Sequence, residues 1–277
     1  MVALADLALL DHTVQRHVTV LAAGRVLIVG DVHGCSAELE ELLRRHHRRG
    51  DTVILAGDVV NKGPDSVAAL RRARTLDGCH ALLGNHEIAA LRGHAERGGG
   101  ATPSAAPKYA WTDSLDASDV AWMRRLPFSI ALPAHGALVV HAGLVPGVAL
   151  DAQQPIDLVT MRNLAEAIDA GGGGPRFRAC EKAEPGATAW AAEWRGPRHV
   201  YFGHDAKRGL QRTRHGSRHG LRLRCVGPLL FPASSSPQPY VFACAHMAAR
   251  RTFCSCLYTC VILTTAQCHC FDSQAAR

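Results

Sequence analysis

The sequence lacks several features that would place it in a specialised class of protein. Its ten cysteines include no C-x-x-C pair, the spacing that structural zinc sites usually need. The first ten residues are apolar but contain Asp6 and no basic residue, so they do not have the layout of a secretory signal. No internal repeat is visible. These absences favour a cytoplasmic globular protein.

Acidic residues are scarce in the last quarter of the chain. Residues 205–277 contain ten basic and two acidic residues, whereas the first 204 residues contain 21 basic and 22 acidic ones. Seven basic residues and no acid lie between positions 207 and 224. A run of this kind is usually solvated, so we do not expect it to bind nucleic acid.

The cysteines and one uncharged run also fall in this part of the chain. Seven of the ten cysteines lie between Cys225 and Cys270, and we interpret them as incidental thiols, with a metal site involving His269 as the alternative. Residues 252–271 carry no formal charge and are long enough to cross a membrane. Their Ser, Thr, Gln and His residues make the run too polar to predict a span.

The first two-thirds of the chain alternates short apolar runs with amphipathic segments. The predicted strands are 26–30, 52–56, 80–83, 128–132, 137–141 and 199–203. The predicted helices are 36–49 with Ser36 as N-cap, 65–75, one that begins at His86, and 115–126. Gly-rich stretches at 98–107 and 171–174 predict loops. This order predicts an α/β fold with a mixed central sheet.

Five short motifs stand where predicted strands end. They are Gly30-Asp31-Val32-His33-Gly34, Gly57-Asp58-Val59-Val60-Asn61-Lys62-Gly63-Pro64, Gly84-Asn85-His86-Glu87, His141-Ala142-Gly143 and Gly203-His204. The carboxyl ends of strands are where open α/β sheets usually build their sites. Each motif alone is a weak signal, but five in this order are hard to reach by chance.

The side chains in these motifs suit divalent metal ions. The carboxylates and imidazoles are Asp31, Asp58, His33, His141 and His204, and Asn85 adds a neutral carbonyl oxygen. Such mixed oxygen and nitrogen ligands favour Mn, Zn, Fe, Co or Mg over a thiolate-bound structural zinc. One carboxylate can bridge two ions about 3.5–4 Å apart, which together activate water for an in-line displacement.

The order of the motifs resembles the calcineurin-like metallophosphoesterases, over residues 26–211. Within that superfamily the chain resembles the phosphoprotein-phosphatase-type branch, and most of all its ApaH-like (diadenosine-tetraphosphatase-like) phosphatases. The resemblance implies a four-layer α/β/β/α sandwich with mixed central sheets and two divalent metal ions.

The resemblance also implies roles for individual residues. The first ion would be bound by Asp31, His33 and Asp58. The second would be bound by Asp58, Asn85, His141 and His204, so that Asp58 bridges the two. His86 would be the general acid, and Lys62, Arg162 and Asn85 would bind the substrate phosphate. A surface arginine within a helix is the alternative interpretation of Arg162.

Two positions depart from the protein Ser/Thr phosphatases. Those enzymes have an aspartate and an arginine where this chain has Asn61 and Lys62. Asn61 brings no negative charge to the histidine, and Lys62 can hold a phosphate only as a point charge, without the bidentate fork of arginine. A Lys-Gly-Pro ending is typical of the ApaH-like group, so we interpret both changes as a subfamily signature.

The resemblance fades after Gln211. Family members continue with more strand and a Gly-rich segment that completes the sheet, and no such segment is visible here. We therefore expect a fold that is incomplete at its C-terminus, with a metallophosphoesterase domain at 1–211 and a divergent basic, Cys-rich tail at 212–277.

The predicted function is hydrolysis of a phosphoanhydride or phosphoester by a hydroxide that two metal ions activate. A dinucleoside polyphosphate, inorganic polyphosphate or the triphosphate bridge of an RNA cap would serve as substrate. We expect no other nucleic-acid partner and no membrane partner. One alternative is a Ser/Thr or Tyr phosphoprotein phosphatase, against which Asn61 and Lys62 count. The other is a non-catalytic protein that keeps the ligands.

Overall fold

The computed structural model describes residues 2–98, 107–167, 176–205, 208, 211–214, 240–243, 259–263 and 268–272. Most of both predicted Gly-rich loops lies outside the described residues, as do Cys254, Cys256 and most of the basic run. The helices are α1 (Ser36–His46), α2 (Ser66–Thr75), α3 (Asn85–Gly98), α4 (Ala117–Arg124), α5 (Pro155–Thr160) and α6 (Trp190–Glu193). The strands are β1 (His17–Thr19), β2 (Val26–Val29), β3 (Thr52–Leu55), β4 (Cys79–Ala81), β5 (Ser129–Leu132), β6 (Ala137–Val140), β7 (Asn163–Glu166), β8 (Phe177–Cys180), β9 (Thr188–Ala189), β10 (His199–Phe202), β11 (Arg212–Arg214), β12 (Tyr240–Ala243), β13 (Thr259–Leu263) and β14 (Cys268–Asp272).

Two mixed sheets carry the fold. The larger has the order β1-β5-β6-β10-β12-β11, in which β6, β10 and β12 run parallel. The second has the order β14-β13-β2-β3-β4, in which β2, β3 and β4 run parallel and β13 is antiparallel to β2. A small antiparallel sheet, β8-β7-β9, completes the described strands. The predicted mixed α/β class is confirmed.

Strand β2 is buried on both faces. Val26 and Ile28 belong to an apolar cluster that also contains Ile130 and Val139 of the larger sheet. The alternate residues of the strand, Leu27 and Val29, belong to a second cluster with the apolar stripes of α1, α2 and α3. A strand covered on both faces needs an unbroken apolar sequence, which explains the run that predicted it. The four-layer order stays a prediction.

Most predicted elements are found within a few residues of their predicted bounds, and the helix ends differ most. Ser36 is the first helical residue of α1 rather than its cap, since the cap position is Cys35 and its side chain makes no capping hydrogen bond. The same helix ends at His46, three residues before the predicted end, because the backbone is already extended at His47. Asp65, by contrast, caps α2 by accepting a hydrogen bond from the Ala68 amide at 2.9 Å.

Residues beyond Gln211 contribute strands to both sheets. Strand β12 runs parallel to β10, and β13 pairs with β2 over four residues. The expected incompleteness of the sheets is therefore wrong for these positions, because strand pairing depends on backbone groups that a basic or Cys-rich composition does not remove. The domain boundary at 211 stays a prediction.

Part of the uncharged run at 252–271 forms strands. Its residues 259–263 lie in β13, and residues 268–271 lie in the antiparallel neighbour β14. In the described part of the chain, no helix combines the length and apolar character needed to cross a membrane.

Candidate metal centre

Parallel strands bring the five motifs to one edge of the fold. Asp31 and His33 follow β2, Asp58 follows β3, and Asn85 stands at the start of α3 just after β4. The larger sheet contributes His141, which follows β6, and His204, which follows β10. Asp31, His33, Asp58, His141 and His204 are all at most 8% exposed. Buried carboxylates and imidazoles at this density require compensating partners.

The backbone at this edge is strained. Within the described part of the chain, five non-glycine residues have a positive φ, and they are His33, Asp58, Asn61, Lys62 and His204. All five belong to the motif loops. This conformation is uncommon outside glycine and clusters at functional sites, where the surrounding structure holds it in place.

Two glycines leave room for the carboxylates. A Cβ on Gly84 would lie 2.2 Å from Asp58 Oδ1, and a Cβ on Gly203 would lie 2.1 Å from Asp31 Oδ1. Both distances are far below van der Waals contact. Any larger residue at either position would push a carboxylate out of the site.

The first group of side chains surrounds His33. Its Nε2 lies 3.7 Å from Asp31 Oδ2 and 3.8 Å from Asp58 Oδ2. Its Nδ1 faces the Val60 carbonyl at 3.3 Å. Because a carbonyl only accepts, Nδ1 carries the proton in the neutral ring and Nε2 presents a lone pair to the carboxylates. The ammonium of Lys62, 2.8 Å from this Nε2, can only donate to it.

In the second group, hydrogen-bond acceptor atoms of different side chains face one another. His141 Nδ1 faces the Ala56 carbonyl at 2.8 Å, and its Nε2 lies 3.3 Å from Asp58 Oδ1 and 3.2 Å from Asn85 Oδ1. His204 Nε2 faces the Thr160 carbonyl at 3.1 Å, and its Nδ1 lies 2.9 Å from the same Asn85 oxygen. In neutral rings, four acceptor atoms therefore converge on one point. A divalent cation satisfies such a cluster, and its donor set fits the predicted metals.

The two groups share Asp58. One oxygen or nitrogen atom each of Asp58, His33 and His86 lie within 4.8 Å of one another, and so do those of Asp58, His141 and His204. Asp31, which the resemblance assigns to the first ion in place of His86, is 3.7 Å from His33. This arrangement is what a bridging carboxylate between two ions requires.

Burial shifts the pKa values of the side chains that would bind a metal. Burial, reinforced by the charge of Asp31, raises the pKa of Asp58 well above its usual value. Burial also lowers the pKa of His204 to about 2, with a smaller contribution from His141. His204 is thus neutral, which is the form that binds a metal. A bound cation would offset the repulsion between the two buried carboxylates.

Glu87 joins two of the motif loops, a role that the sequence did not reveal. Its side chain is fully buried and accepts hydrogen bonds from the amides of Asp58, Val59, Val60 and Gly84 at 2.7–3.2 Å. Four backbone donors on one carboxylate fix the turn that carries Asp58. Glu87 is visible in its motif, but three of its four partners come from the loop of Asp58, which is 27–29 residues away in the sequence.

Arg162 lies near the second group but not in a helix. It stands between α5 and β7, so the helix alternative is wrong. Its guanidinium is 3.7 Å from Asp205 Oδ1 and 3.8 Å from Glu181 Oε1. After burial and His141, the charge of Arg162 is a further cause of the lowered pKa of His204. The positive charge of Arg162 is therefore close enough to act on the side chains of the site.

Known proteins support this description. The model of the calcineurin-like phosphoesterase family matches residues 24–208, well over half of the chain. The chain belongs to this family. The family prediction made from the five motifs is confirmed, and family membership implies divalent metal ions at the site.

Curated relatives match over part of their length. The symmetrical bis(5'-nucleosyl)-tetraphosphatase of Shewanella baltica strain OS155 is 36% identical over 125 residues, which cover 43% of this chain and 44% of that protein. The protein of the same name from Shewanella oneidensis is 34% identical over 145 residues, which cover 50% and 51%. The chain thus spans about half the length of the curated relatives it matches.

Solved structures match over most of the chain. A crystal structure of a candidate diadenosine tetraphosphatase is 30% identical, with a TM-score of 0.69, and the match covers 94% of this chain and 99% of that one. A metallophosphoesterase from Sphaerobacter thermophilus is 19% identical with a TM-score of 0.54, covering 90% and 88%, and shares the fold.

Proposed function

We propose that this chain hydrolyses a phosphoanhydride, in a dinucleoside polyphosphate, polyphosphate or cap-like substrate, at a site with two metal ions. The observation that carries the proposal is the pair of ligand groups that share the buried Asp58. A single-ion site would need only one of them.

We assign the residues to the two ions as the family resemblance implies. Asp31, His33 and Asp58 would hold the first ion. The second would be held by Asp58, Asn85, His141 and His204. When bound, two such ions supply an activated water and stabilise the charge that develops on the transferred phosphoryl group.

The remaining motif residues would act on the substrate itself. Lys62 Nζ lies 2.8 Å from His33 Nε2 in the first group, and the charge of Arg162 acts on His204 in the second. Together with the Asn85 amide they would bind and orient phosphate oxygens. His86 Nε2 lies 4.0 Å from Asp58 Oδ2 on a side chain that is 22% exposed, so it can reach both the site and the solvent side. There it would assist departure of the leaving oxygen as the general acid.

Two observations favour an anhydride over a phosphoprotein substrate. The two curated relatives described above, which are 36% and 34% identical, carry tetraphosphatase names. The chain also has Asn61 and Lys62 where protein Ser/Thr phosphatases have a carboxylate and a guanidinium. Asn61 lacks the negative charge that would support a protonated histidine, and Lys62 keeps a positive charge but lacks the bidentate contact of arginine.

Removal of the bridging charge tests the proposal. We expect Asp58→Asn to lose most of its turnover and to bind both ions more weakly, because the shared ligand would become neutral. Asp77→Asn is a matched control, since Asp77 is exposed and precedes β4, at the end of that strand away from the site. The assay is manganese-dependent phosphate release from diadenosine tetraphosphate, polyphosphate, capped RNA and a phosphopeptide.

Each outcome of this assay decides something. Turnover of anhydrides that Asp77→Asn keeps and Asp58→Asn loses supports the proposal and ranks its substrates. Turnover of the phosphopeptide alone replaces it with a phosphoprotein phosphatase. A folded, metal-loaded wild type without turnover on any substrate contradicts the enzymatic role.

A further inference from the structure

The side chain of Asn61 is held at both ends of its amide. The indole Nε1 of Trp111 lies 2.9 Å from Asn61 Oδ1, and Asn61 Nδ2 lies 2.9 Å from the backbone carbonyl of His86. An indole N–H can only donate and a carbonyl can only accept. The two contacts therefore fix which end of the amide carries the oxygen, a choice that is otherwise ambiguous.

This orientation determines the tautomer of His86. Asn61 Nδ2 faces His86 Nδ1 at 3.2 Å. Since the amide nitrogen donates, Nδ1 must accept, and the single proton of the neutral ring then resides on Nε2. His86 Nε2 is the atom that approaches Asp58 Oδ2. The N–H of His86 thus points to the side of the ring where the phosphate would bind.

Separate parts of the chain hold this arrangement. The Asn61 backbone has a φ of 69°, and its amide donates to Ser66 Oγ at 2.9 Å. Trp111 belongs to the 3-10 helix Pro107–Ser114, which packs against α3, the helix that carries His86. The contact joins residues 50 positions apart, and Asn61 is 6% exposed. Such a buried contact resists rearrangement by solvent.

We propose that Trp111 and Asn61 are positioning residues that hold His86 as a neutral Nε2–H hydrogen-bond donor toward the leaving oxygen. The action of His86 on the leaving oxygen rests on the proposed function. The assignment of its tautomer rests only on the hydrogen bonds described above. The proposal narrows the role of His86 from transfer of a proton to donation of a hydrogen bond. Neutral imidazole serves other enzymes as an electrophile in this way.

The bond changes then favour one class of substrate. A hydroxide forms a bond to phosphorus as the bond between phosphorus and the leaving oxygen breaks, and the electron pair of the broken bond stays on the leaving oxygen. His86 keeps its proton while hydrogen-bonding to the anion that leaves. A phosphate group leaves readily as an anion, whereas the alkoxide of serine needs a proton. The arrangement therefore selects phosphoanhydrides over phosphoserine.

Nitrogen NMR tests the tautomer without any turnover. The full chain would be labelled with ¹⁵N-histidine and measured both metal-free and with Zn²⁺, with His86 assigned from the spectrum of His86→Gln. We expect Nδ1 to be unprotonated and Nε2 protonated. In Asn61→Asp, whose side chain is isosteric and tolerates the same backbone, Nδ1 should become protonated and donate to the new carboxylate. A protonated Nδ1 in the wild type, or the same tautomer in both proteins, overturns the proposal.

Kinetics test the contribution of the indole. Trp111→Phe keeps an aromatic ring but loses the N–H, and we expect kcat on diadenosine tetraphosphate to fall roughly three- to tenfold with little change in KM, the size of one net hydrogen bond. Trp194→Phe is the control, since it loses an indole hydrogen bond to the Arg198 carbonyl, outside the Asn61–His86 contact. An equal effect of both substitutions, or none from Trp111→Phe, contradicts the positioning role.

Failure of the positioning proposal can be distinguished from failure of the proposed function. If the expected tautomer is seen in a protein with no turnover, the proposed function is wrong and the positioning holds. If anhydrides are hydrolysed but Nδ1 is protonated, the positioning is wrong and the proposed function holds. Asn61→Asp should also raise the ratio of phosphoserine-peptide to anhydride turnover, and an unchanged ratio counts against selection by this contact.

Discussion

Replacement of Gly84 by alanine tests how the site is built. A Cβ there would lie 2.4 Å from the backbone nitrogen of Asp58, whereas ordinary contacts begin at 3.4 Å. The two segments would have to separate by about 1 Å. The Asp58 backbone cannot yield freely, because its N–H is bound to Glu87 Oε2 at 2.9 Å and that carboxylate also binds the Gly84 amide.

The expected losses of stability and activity follow from this displacement. Overpacking of a buried position typically costs about 1–3 kcal/mol of stability. A shift of about 1 Å in a catalytic group can lower the rate about 10²-fold. We therefore expect Gly84→Ala to fold with a lower Tm, to bind metal more weakly and to lose about two orders of magnitude in kcat/KM.

The control is an alanine where space is open. A Cβ on Gly24 meets no atom within 4 Å, and the backbone there does not have a positive φ. Gly24→Ala should therefore match wild type in thermal denaturation, in metal content by calorimetry and in phosphate release. If folded Gly84→Ala also keeps wild-type metal content and turnover, the packing of Asp58 against Gly84 does not set the geometry of the site.

Three further outcomes are expected. His86→Ala should lower turnover of diadenosine tetraphosphate about 10²-fold or more while metal content is retained, and an equal loss on a substrate with an activated leaving group would contradict its role there. Because burial and the charge of Asp31 raise the pKa of Asp58, this carboxyl holds its proton to a higher pH than usual, and a metal that binds there competes with the proton. Calorimetry in buffers of different ionisation enthalpy should show proton release on Mn²⁺ binding, with a metal affinity that rises with pH. If Asp58→Asn releases as many protons as wild type, Asp58 is not the source of the released proton. Arg162→Ala should raise KM about tenfold through loss of a charge-assisted phosphate contact, while the exposed-site control Arg176→Ala should not. Identical KM values for the two variants would remove Arg162 from the phosphate site.

The ligand residues could be predicted because each follows a strand that the sequence makes plain. The unbroken apolar run at β2 predicts a strand buried on both faces, and the glycine after it predicts the turn that places Asp31. His204 is 173 residues from Asp31, yet its backbone amide donates to that carboxylate at 3.0 Å. Their proximity follows from β2 and β10 both ending at this edge, not from any local pattern.

Contacts between side chains and distant loops could not be predicted. Nothing near Trp111 in the sequence indicates that its indole reaches Asn61, because the contact is set by the packing of a 3-10 helix on α3. The four partners of Glu87 are backbone amides, which carry no sequence signal at all. The strands β12 and β13 are short apolar runs, but the basic and Cys-rich sequence around them gives no sign of which strands they pair with.

The paired ligand groups are the central claim, and anomalous X-ray diffraction at the manganese edge tests them most directly. Crystals of the full chain grown with Mn²⁺ should show two peaks, one beside Asp31 and His33 and the other beside Asn85, His141 and His204, with Asp58 contacting both. A single peak would contradict a two-metal centre, and two peaks that do not share Asp58 would contradict the bridging role on which the proposal depends.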